Sequence, residues 1–491
     1  MVTDLAHGRP AEQSIRAALL GIHLAERIGA AAPTRRDALY VTLLRSLGCT
    51  ATSHEYARWF GGDDIAVRRE GDVIDAAHLS EGARFVWRVA APRPPSQRIP
   101  IVVRGMTRGP HLAAEAARAD CETARQLGTR LGFPRSVTDA LYQGFERWDG
   151  SGHPQGLGRD AIALPARIAA AASVAVMFEE SLGRDDAGSI LRRWSGRSLD
   201  PELVEGIVGI WGEPGAFDAA DPLTRLLEAE PVPTQHAGES RLDDVAAAFA
   251  VVADLKSTHL HGHSRGVAAL AERAASLRGE DPTTVRRAAL LHDLGRAAVP
   301  TGIWERPGRL TTAEWELVRL HAYHGERILG RSSALAGVAR IVGSHHERSD
   351  GSGYHRGTGA GEQSSSARLL AAADVYAALT EARPHRPAFS SDAAAHTIRG
   401  MPLDPESVEC VLEAAGHVRQ RVRGRPSGLT EREVEVLRLI VRGMSIAQAG
   451  RALFISSSTV HTHLAHVYEK TGVSTRAGAA VFAMEHDLLD L

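Results

Sequence analysis

The strongest constraint in this sequence is that it repeats itself. FERWDGSGHPQG at Phe145–Gly156 returns as HERSDGSGYHRG at His346–Gly357, and ARIAAAASVAVMF at Ala166–Phe178 returns after the same interval as ARLLAAADVYAAL at Ala367–Leu379. Two more pairs keep the order: LLRSLG (Leu43–Gly48) with LLHDLG (Leu290–Gly295), and LDPELVE (Leu199–Glu205) with LDPESVE (Leu403–Glu409). Four ordered matches predict one folding unit used twice. Apolar residues recur at i, i+3 and i+4 through long alanine-rich stretches while strand-like alternation is scarce, so the chain is expected to be all-α.

Composition then sets boundaries. A Pro-, Gly- and polar-rich stretch predicts a linker at 229–242, between a first domain at 1–228 and a second at 243–418. A basic segment at 419–428, with Arg419, Arg421, Arg423 and Arg425, leads to a compact helical pattern at 429–491. The formal net charge is -2, so attraction to nucleic acid or to an anionic membrane has to come from a local surface rather than from the whole chain. Cys49, Cys121 and Cys410 are odd in number and never paired as C-x-x-C, which argues against a disulfide framework or a cysteine-rich zinc site. The apolar runs fall short of the roughly 20 residues needed to cross a bilayer. A cytoplasmic protein with no membrane partner is expected.

The second copy concentrates histidine and aspartate: His263 in HGHS, His292 and Asp293 in LLHDLG, His321 in LVRLHAYH, His345 and His346 in SHHE, and Asp374 in AAADVY. Nitrogen and oxygen donors without thiolate suit iron, manganese, nickel or zinc. Carboxylates can join two such ions, and a paired-metal site suits hydrolysis of a phosphate ester. The order H, HD, H, HH-E-x-x-D-G-x-G-Y, D and R-P-x-R resembles the HD-GYP family over Val251–Phe389. The resemblance implies a helical, metal-dependent phosphodiesterase acting on cyclic di-GMP. It implies His263, His292, Asp293, His321, His345, His346 and Asp374 as ligands of two divalent transition-metal ions. His292, Asp293 and Arg296 fall at the reaction centre, and Tyr354, Arg383 and Arg386 at the substrate.

The sequence departs from that family in places. Arg296 stands where the family has lysine, and His355 replaces the proline of G-Y-P. GEQSSSAR replaces an apolar segment, which predicts a looser and more polar loop at the substrate end. His259 stands where three-metal members carry glutamate, so two ions are expected and His259 is a bystander. The first copy has Arg45 and Ser46 in place of HD, Asp120 in place of His321, Gly144 and Phe145 in place of HH, and Ser173 in place of Asp374. No metal is expected there, and the copy reads as a pseudo-domain for sensing or pairing.

In the C-terminal segment Thr430 and Glu433 predict a capping box, Val434, Leu437, Ile440 and Val441 an apolar stripe, and Gly443 a stop. A short helix, a serine-rich cap and a second helix follow, the outline of a helix-turn-helix. L-T-x-R-E-x-E-V-L, R-x-L-F-I-S, T-V-x-x-H-L and G-V-x-x-R-A resemble the LuxR-type DNA-binding domain. That resemblance implies Ser457, Ser458, Thr459, His461, Thr462, His463 and Lys470 as the residues facing double-stranded DNA, with Val460 and Leu464 packed inward. The expected whole is two HD-type helical domains and a small helix-turn-helix bundle: a homodimeric bacterial transcription regulator whose ligand is a cyclic dinucleotide or related phosphodiester. Two alternatives stay open, a regulator that binds a nucleotide without turnover and a phosphohydrolase of another phosphate ester.

Overall fold

A computed structural model describes all residues except 76–77, 214–220, 235, 417–425, 487 and 490–491. The arginines expected to make the linker basic, Arg419, Arg421, Arg423 and Arg425, lie outside the described residues. No strand occurs among the described residues, in accord with the all-α expectation. The chain divides into two units, Met1–Gly238 and Glu239–Leu491, and the division falls inside the stretch read as a linker.

In the first unit, α1 (Gln13–Arg27), α2 (Ala32–Leu44) and the alanine-rich α5 (Leu164–Leu182) bury Leu20, Leu24, Leu39, Ile168 and Val176 in one core. Between them the unit carries α3 (Leu79–Ala90) and the long α4 (Pro95–Arg130), whose first half joins a separate small core of Phe60, Val67, Val89, Ala90 and Ile101. In the second unit the corresponding framework is α6 (His263–Arg278), α7 (Pro282–Leu291), α8 (Thr312–Leu329), α9 (Ala336–Gly343) and α10 (Ser365–Thr380).

The duplication inferred from sequence is visible atom by atom. A Cβ on Gly48 would meet the Asp120 carbonyl oxygen at 1.9 Å, and one on Gly295 would meet the His321 carbonyl oxygen at 1.9 Å. Each glycine lets its turn lie directly against a long helix. Glu146 accepts hydrogen bonds from Gln155 N at 2.6 Å and Leu157 N at 2.9 Å; Glu347 accepts from Arg356 N and Thr358 N, both at 3.1 Å. Asp149 and Asp350 each take the amide of the serine two residues on, at 2.9 Å. Gly150 and Gly351 turn the chain at φ +80° and +78°, a region that favours glycine.

The C-terminal helices are α11 (Glu431–Val441), α12 (Ile446–Leu453), α13 (Ser457–Thr471) and α14 (Arg476–Glu485). The expected capping box is present: Glu433 N donates to Thr430 Oγ1 and Thr430 N to the Glu433 carboxylate. Val436, Ile440, Ala449, Val460 and Leu464 form their core. Burial works against charge on Glu433, but hydrogen bonds from Lys470 and from Thr430 outweigh it and hold its carboxyl down to about 2.

Two outcomes follow for stability. Gly48→Ala and Gly295→Ala each destabilise their own unit by about 3 kcal/mol, read as an earlier denaturant midpoint for that unit. Glu433→Gln costs about 1 kcal/mol in the C-terminal helices. Because the folded pKa of Glu433 is depressed, its contribution is complete above the unfolded value of about 4.3 and disappears as pH falls towards about 2. A pH series of melting curves for wild type and Glu433→Gln should therefore converge in acid.

Candidate metal centre

Five elements of the second unit deliver seven side chains to one place. His263 opens α6, His292 caps the C-terminus of α7 with Asp293 next in the turn, and His321 lies within α8. His345 and His346 follow the end of α9, and Asp374 comes from the middle of α10. That helix reaches the centre because Leu369, Leu370, Ala371, Ala372 and Ala373 let it bury on nearly every side. Six of the seven are buried, and His346 is nearly so.

The donors form two groups, Asp293 with His321, His345 and His346, and His263 with His292 and Asp374. Asp293 stands between them: Oδ1 lies 3.4 Å from His321 Nε2 and 3.9 Å from His345 Nε2, while Oδ2 lies 3.1 Å from His292 Nε2 and 3.6 Å from His263 Nε2. Asp374 Oδ1 is 3.2 Å from His263 Nε2, and its Oδ2 is 3.8 Å from His346 Nδ1.

The far side of each ring sets its orientation. His292, His321 and His345 place Nδ1 at 2.7, 2.5 and 2.6 Å from the carbonyl oxygens of Ala289, Val318 and Val342, each three residues back. Donation from Nδ1 leaves the Nε2 lone pair for the centre. His263 Nδ1 lies 3.0 Å from Glu381 Oε1. Arg296 places its Nε 2.7 Å from Asp293 Oδ1 and its guanidinium 4.7 Å from the centroid of the Trp304 ring.

The charges show what is missing. Burial works against ionisation of Asp293, yet Arg296 and His292 hold its carboxyl well below the usual range. Burial, then the neighbouring His292 and His321 rings, pulls His345 down to about 3. His263 Nε2, His292 Nε2, both oxygens of Asp293 and His346 Nδ1 are buried without a hydrogen-bond partner. Buried polar atoms are normally satisfied, so five unsatisfied atoms converging on two adjacent donor groups fit a pair of cations.

Comparison with known proteins agrees with this geometry. The HD domain family model matches residues 248–407. Over 398 residues, 80% of this chain and 86% of the relative, the chain is 30% identical to 3'3'-cGAMP-specific phosphodiesterase 3 of Vibrio cholerae. The chain belongs to the HD-GYP-type phosphodiesterases.

A crystal structure of a cyclic GMP-AMP-specific phosphodiesterase from V. cholerae matches 85% of this HD-GYP-type chain and 96% of its own, with a TM-score of 0.58 at 26% identity. The cyclic di-GMP phosphodiesterase response regulator RpfG of Xanthomonas campestris is 35% identical over 159 residues, 31% of this chain and 42% of the relative. Residues 427–483 match the luxR family of bacterial regulatory proteins, so this HD-GYP-type chain carries a LuxR-type output domain.

Other expected site residues fall in different surroundings. Tyr354 lies against His346 with ring centroids 4.3 Å apart and the rings tilted by 34°, at the rim of the centre. Arg383 donates to Glu381 at 2.8 Å. Arg386 spends its donors on the carbonyl oxygens of Leu379, Glu381 and Pro387 at 3.1, 3.2 and 3.1 Å, closing the turn after α10, and its guanidinium lies 4.9 Å from the Phe389 ring centroid. The loop expected to be loose is laced instead: Glu347 holds Arg356 N and Thr358 N, and Gln363 Nε2 donates to the Arg348 and Thr358 carbonyls at 3.0 and 2.7 Å. In the output domain Ser457, Ser458, Thr459, His461 and Thr462 are exposed on α13, His463 is half-buried, and Val460 and Leu464 are buried. Lys470, expected at DNA, gives its ammonium to Glu433 at 2.7 and 2.9 Å.

Sequence reasoning missed Glu381, Glu347 and Trp304. The repeat held a clue to two of them, since Glu180 and Glu146 stand at the matching places in the first copy. There Arg16 donates to Glu180 at 2.7 Å, as His263 meets Glu381 in the second. The first copy's own centre is a buried ion pair, Arg68 Nη1 to Asp120 Oδ2 at 3.1 Å, with Thr52 Oγ1 donating to Asp120 Oδ1 at 2.8 Å. Glu381→Gln removes the carboxylate that fixes His263 and is expected to weaken metal retention by about 10–100-fold, measured by chelator competition on the purified protein.

Proposed function

We propose that the second unit hydrolyses a cyclic dinucleotide, 3'3'-cGAMP or cyclic di-GMP, at a centre of two divalent transition-metal ions (iron, manganese, nickel or zinc), and that this unit informs a DNA-binding domain on the same chain. The observation that carries the reading is Asp293, whose two oxygens face the two donor groups separately. His321, His345 and His346 would hold one ion and His263, His292 and Asp374 the other, with Asp293 shared. Bound there, the metals would supply an activated water and charge neutralisation at a phosphodiester.

The chain's own residues do the positioning. The Ala289, Val318 and Val342 carbonyls fix three imidazoles, and Glu381 fixes His263, so the centre is oriented before substrate arrives. Arg296 keeps Asp293 ionised, and the Trp304 ring fixes the guanidinium. Arg383 and Tyr354 stand at the rim, where a phosphate and a nucleobase would lie, and Arg386 acts by shaping the turn that presents Arg383. For the output domain, Ser457, Ser458, Thr459, His461, Thr462 and His463 are the DNA-facing set. Lys470, exposed and paired with Glu433, completes that set at the far end of the helix.

Metal-loaded protein incubated with 3'3'-cGAMP and with cyclic di-GMP should yield linear dinucleotide or mononucleotides. Asp293→Ala should lower kcat by at least about 1000-fold and reduce bound metal per chain. Stoichiometric nucleotide binding without product would establish a sensor in place of an enzyme. In a duplex-binding titration the full-length protein should bind DNA with a salt dependence shallower than a protein making six to ten phosphate contacts. His461→Ala should weaken that binding without changing the hydrolysis rate.

A further inference from the structure

Two stretches of the second unit meet outside the metal centre and the recognition helix. One is α14 with the tail that follows it. Ala477 to Met484 are buried without a break, whereas a helix packed on one side only keeps an exposed stripe. α14 rests on α11 and α13, and beyond it Leu488 and Leu489 are buried as well. Leu488 N donates to the Ala483 carbonyl at 2.9 Å, which turns the tail back over the end of the helix. Arg438 Nε of α11 holds the Leu488 carbonyl at 2.6 Å.

The other stretch is the turn that opens α6, where His263 stands. Arg265 donates to the Met484 carbonyl, and a Cβ on Gly262 would lie 3.8 and 3.9 Å from Leu489 Cδ1 and Cβ. The first copy makes the same turn. Ser14 Oγ donates to Asp4 at 2.9 Å as Ser264 Oγ does to Asp254 at 2.6 Å, and Glu12 precedes its helix at φ +74° as Gly262 does at +85°. Since Glu12 adopts that backbone, the left-handed turn alone does not demand glycine at 262. In the second copy a methyl there would touch Leu489, and a longer side chain would contend with it for space. Ile15 stands in the place of Arg265. Glycine and arginine thus mark the copy that meets the output domain, at the two positions that touch it.

Given the metal-dependent reading proposed above, on which this rests, we infer that the seat of the Met484–Leu489 tail on the Gly262–Arg265 turn couples the metal centre to the output domain, so that filling the centre firms the seat. His263 is the first residue of α6; its Nδ1 lies 3.0 Å from Glu381 Oε1, and its Nε2 is buried without a hydrogen-bond partner. A ring held at one nitrogen gains a second fixed point when an ion takes the other, and the same backbone carries Gly262 and Arg265 on either side. Linkage makes the effect reciprocal: a seated tail holds the His263 turn for metal. Ser457, Ser458, Thr459, His461 and Thr462 stay exposed on α13 with the tail seated, so docking does not cover the recognition face. The tail instead backs α11, to which Glu433 and Lys470 pin α13, so a duplex meets a domain already ordered.

The test is hydrogen exchange of the full-length protein with and without manganese. In wild type the metal is expected to slow exchange across α14 by about fivefold or more, the low end of allosteric coupling. In Arg265→Ala and in Leu489→Asp, α14 should exchange fast whether or not manganese is present. Both variants should bind manganese about fivefold more weakly, by the same linkage. Wild type should bind duplex DNA about fivefold more tightly when loaded than when chelated, and the variants with one affinity in both states. At saturating manganese both variants should hydrolyse at the wild-type rate, which checks that the metal unit is folded. Exchange in α14 that ignores manganese in loaded wild type overturns the inference, as does a manganese response that survives both substitutions. Absence of hydrolysis with the exchange differences intact removes the phosphodiesterase reading and leaves the coupled seat standing; absence of duplex binding removes the DNA reading in the same way.

Discussion

The second unit is organised around one buried carboxylate. Asp293 is 1% exposed, and bringing an ionised carboxylate out of water costs several kcal/mol unless opposite charge meets it. Arg296 supplies part of that charge against one oxygen, yet neither oxygen has a hydrogen bond of proper geometry. Four imidazoles stand within 3.9 Å of the two oxygens, turned by carbonyls or by Glu381 so that their lone pairs point inward. Inward lone pairs around a carboxylate repel one another unless a cation sits among them. The close passage of Gly295 over α8 makes the arrangement possible, because any side chain there would push the Asp293 turn away from His321.

The repeat explains how much could be read from sequence. Comparing the copies separates the packing motifs, which persist, from the ligands, which persist only in the second. DGSG turns the chain in both units, with Gly150 and Gly351 at nearly the same φ, so it reports fold. His345 and His346 have Gly144 and Phe145 opposite them, so they report chemistry. Less legible were residues whose role depends on a distant partner. Arg386 looks like a phosphate ligand in a linear motif, but the helix end that takes its donors is a three-dimensional neighbour. Lys470 looks like a DNA contact until Glu433, 37 positions earlier, is seen beside it. Polarity of the 355–364 loop was readable and its order was not, because the order comes from Glu347 and Gln363 binding backbone groups.

The same logic describes the output domain. The Thr430–Glu433 capping box is legible as a local pattern, but its glutamate also anchors Lys470 at the far end of α13. One carboxylate thus starts α11 and pins α13 to it, which fixes the angle at which α13 is presented. Lys470, exposed but paired with Glu433, stands at the far end of α13, and the exposed first turns offer hydroxyls and imidazoles rather than fixed positive charge. Recognition through such groups rests on hydrogen bonding to bases more than on phosphate neutralisation.

The first unit has other residues where the second has its metal-ligand candidates. Asp120 occupies the place of His321, and Arg68, from the helix Asp64–Asp72, pairs with it. Arg68 also donates to Thr52 Oγ1 at 2.7 Å and lies 4.6 Å from the centroid of the Tyr56 ring. Burial lifts the Asp120 carboxyl to about 6 despite that pairing, a measure of how little water reaches it. Removing either partner alone would leave a buried, uncompensated charge at a cost of about 3–5 kcal/mol. Asp120 and Arg68 therefore form a matched pair, each needed by the other. A guanidinium carried in from the chain does in the first copy what cations from solution are proposed to do in the second. Arg68 lies within the 72 residues that run from Gly48 to Asp120, against 26 from Gly295 to His321, so the first unit's core electrostatics draw on a stretch that the second copy does not have.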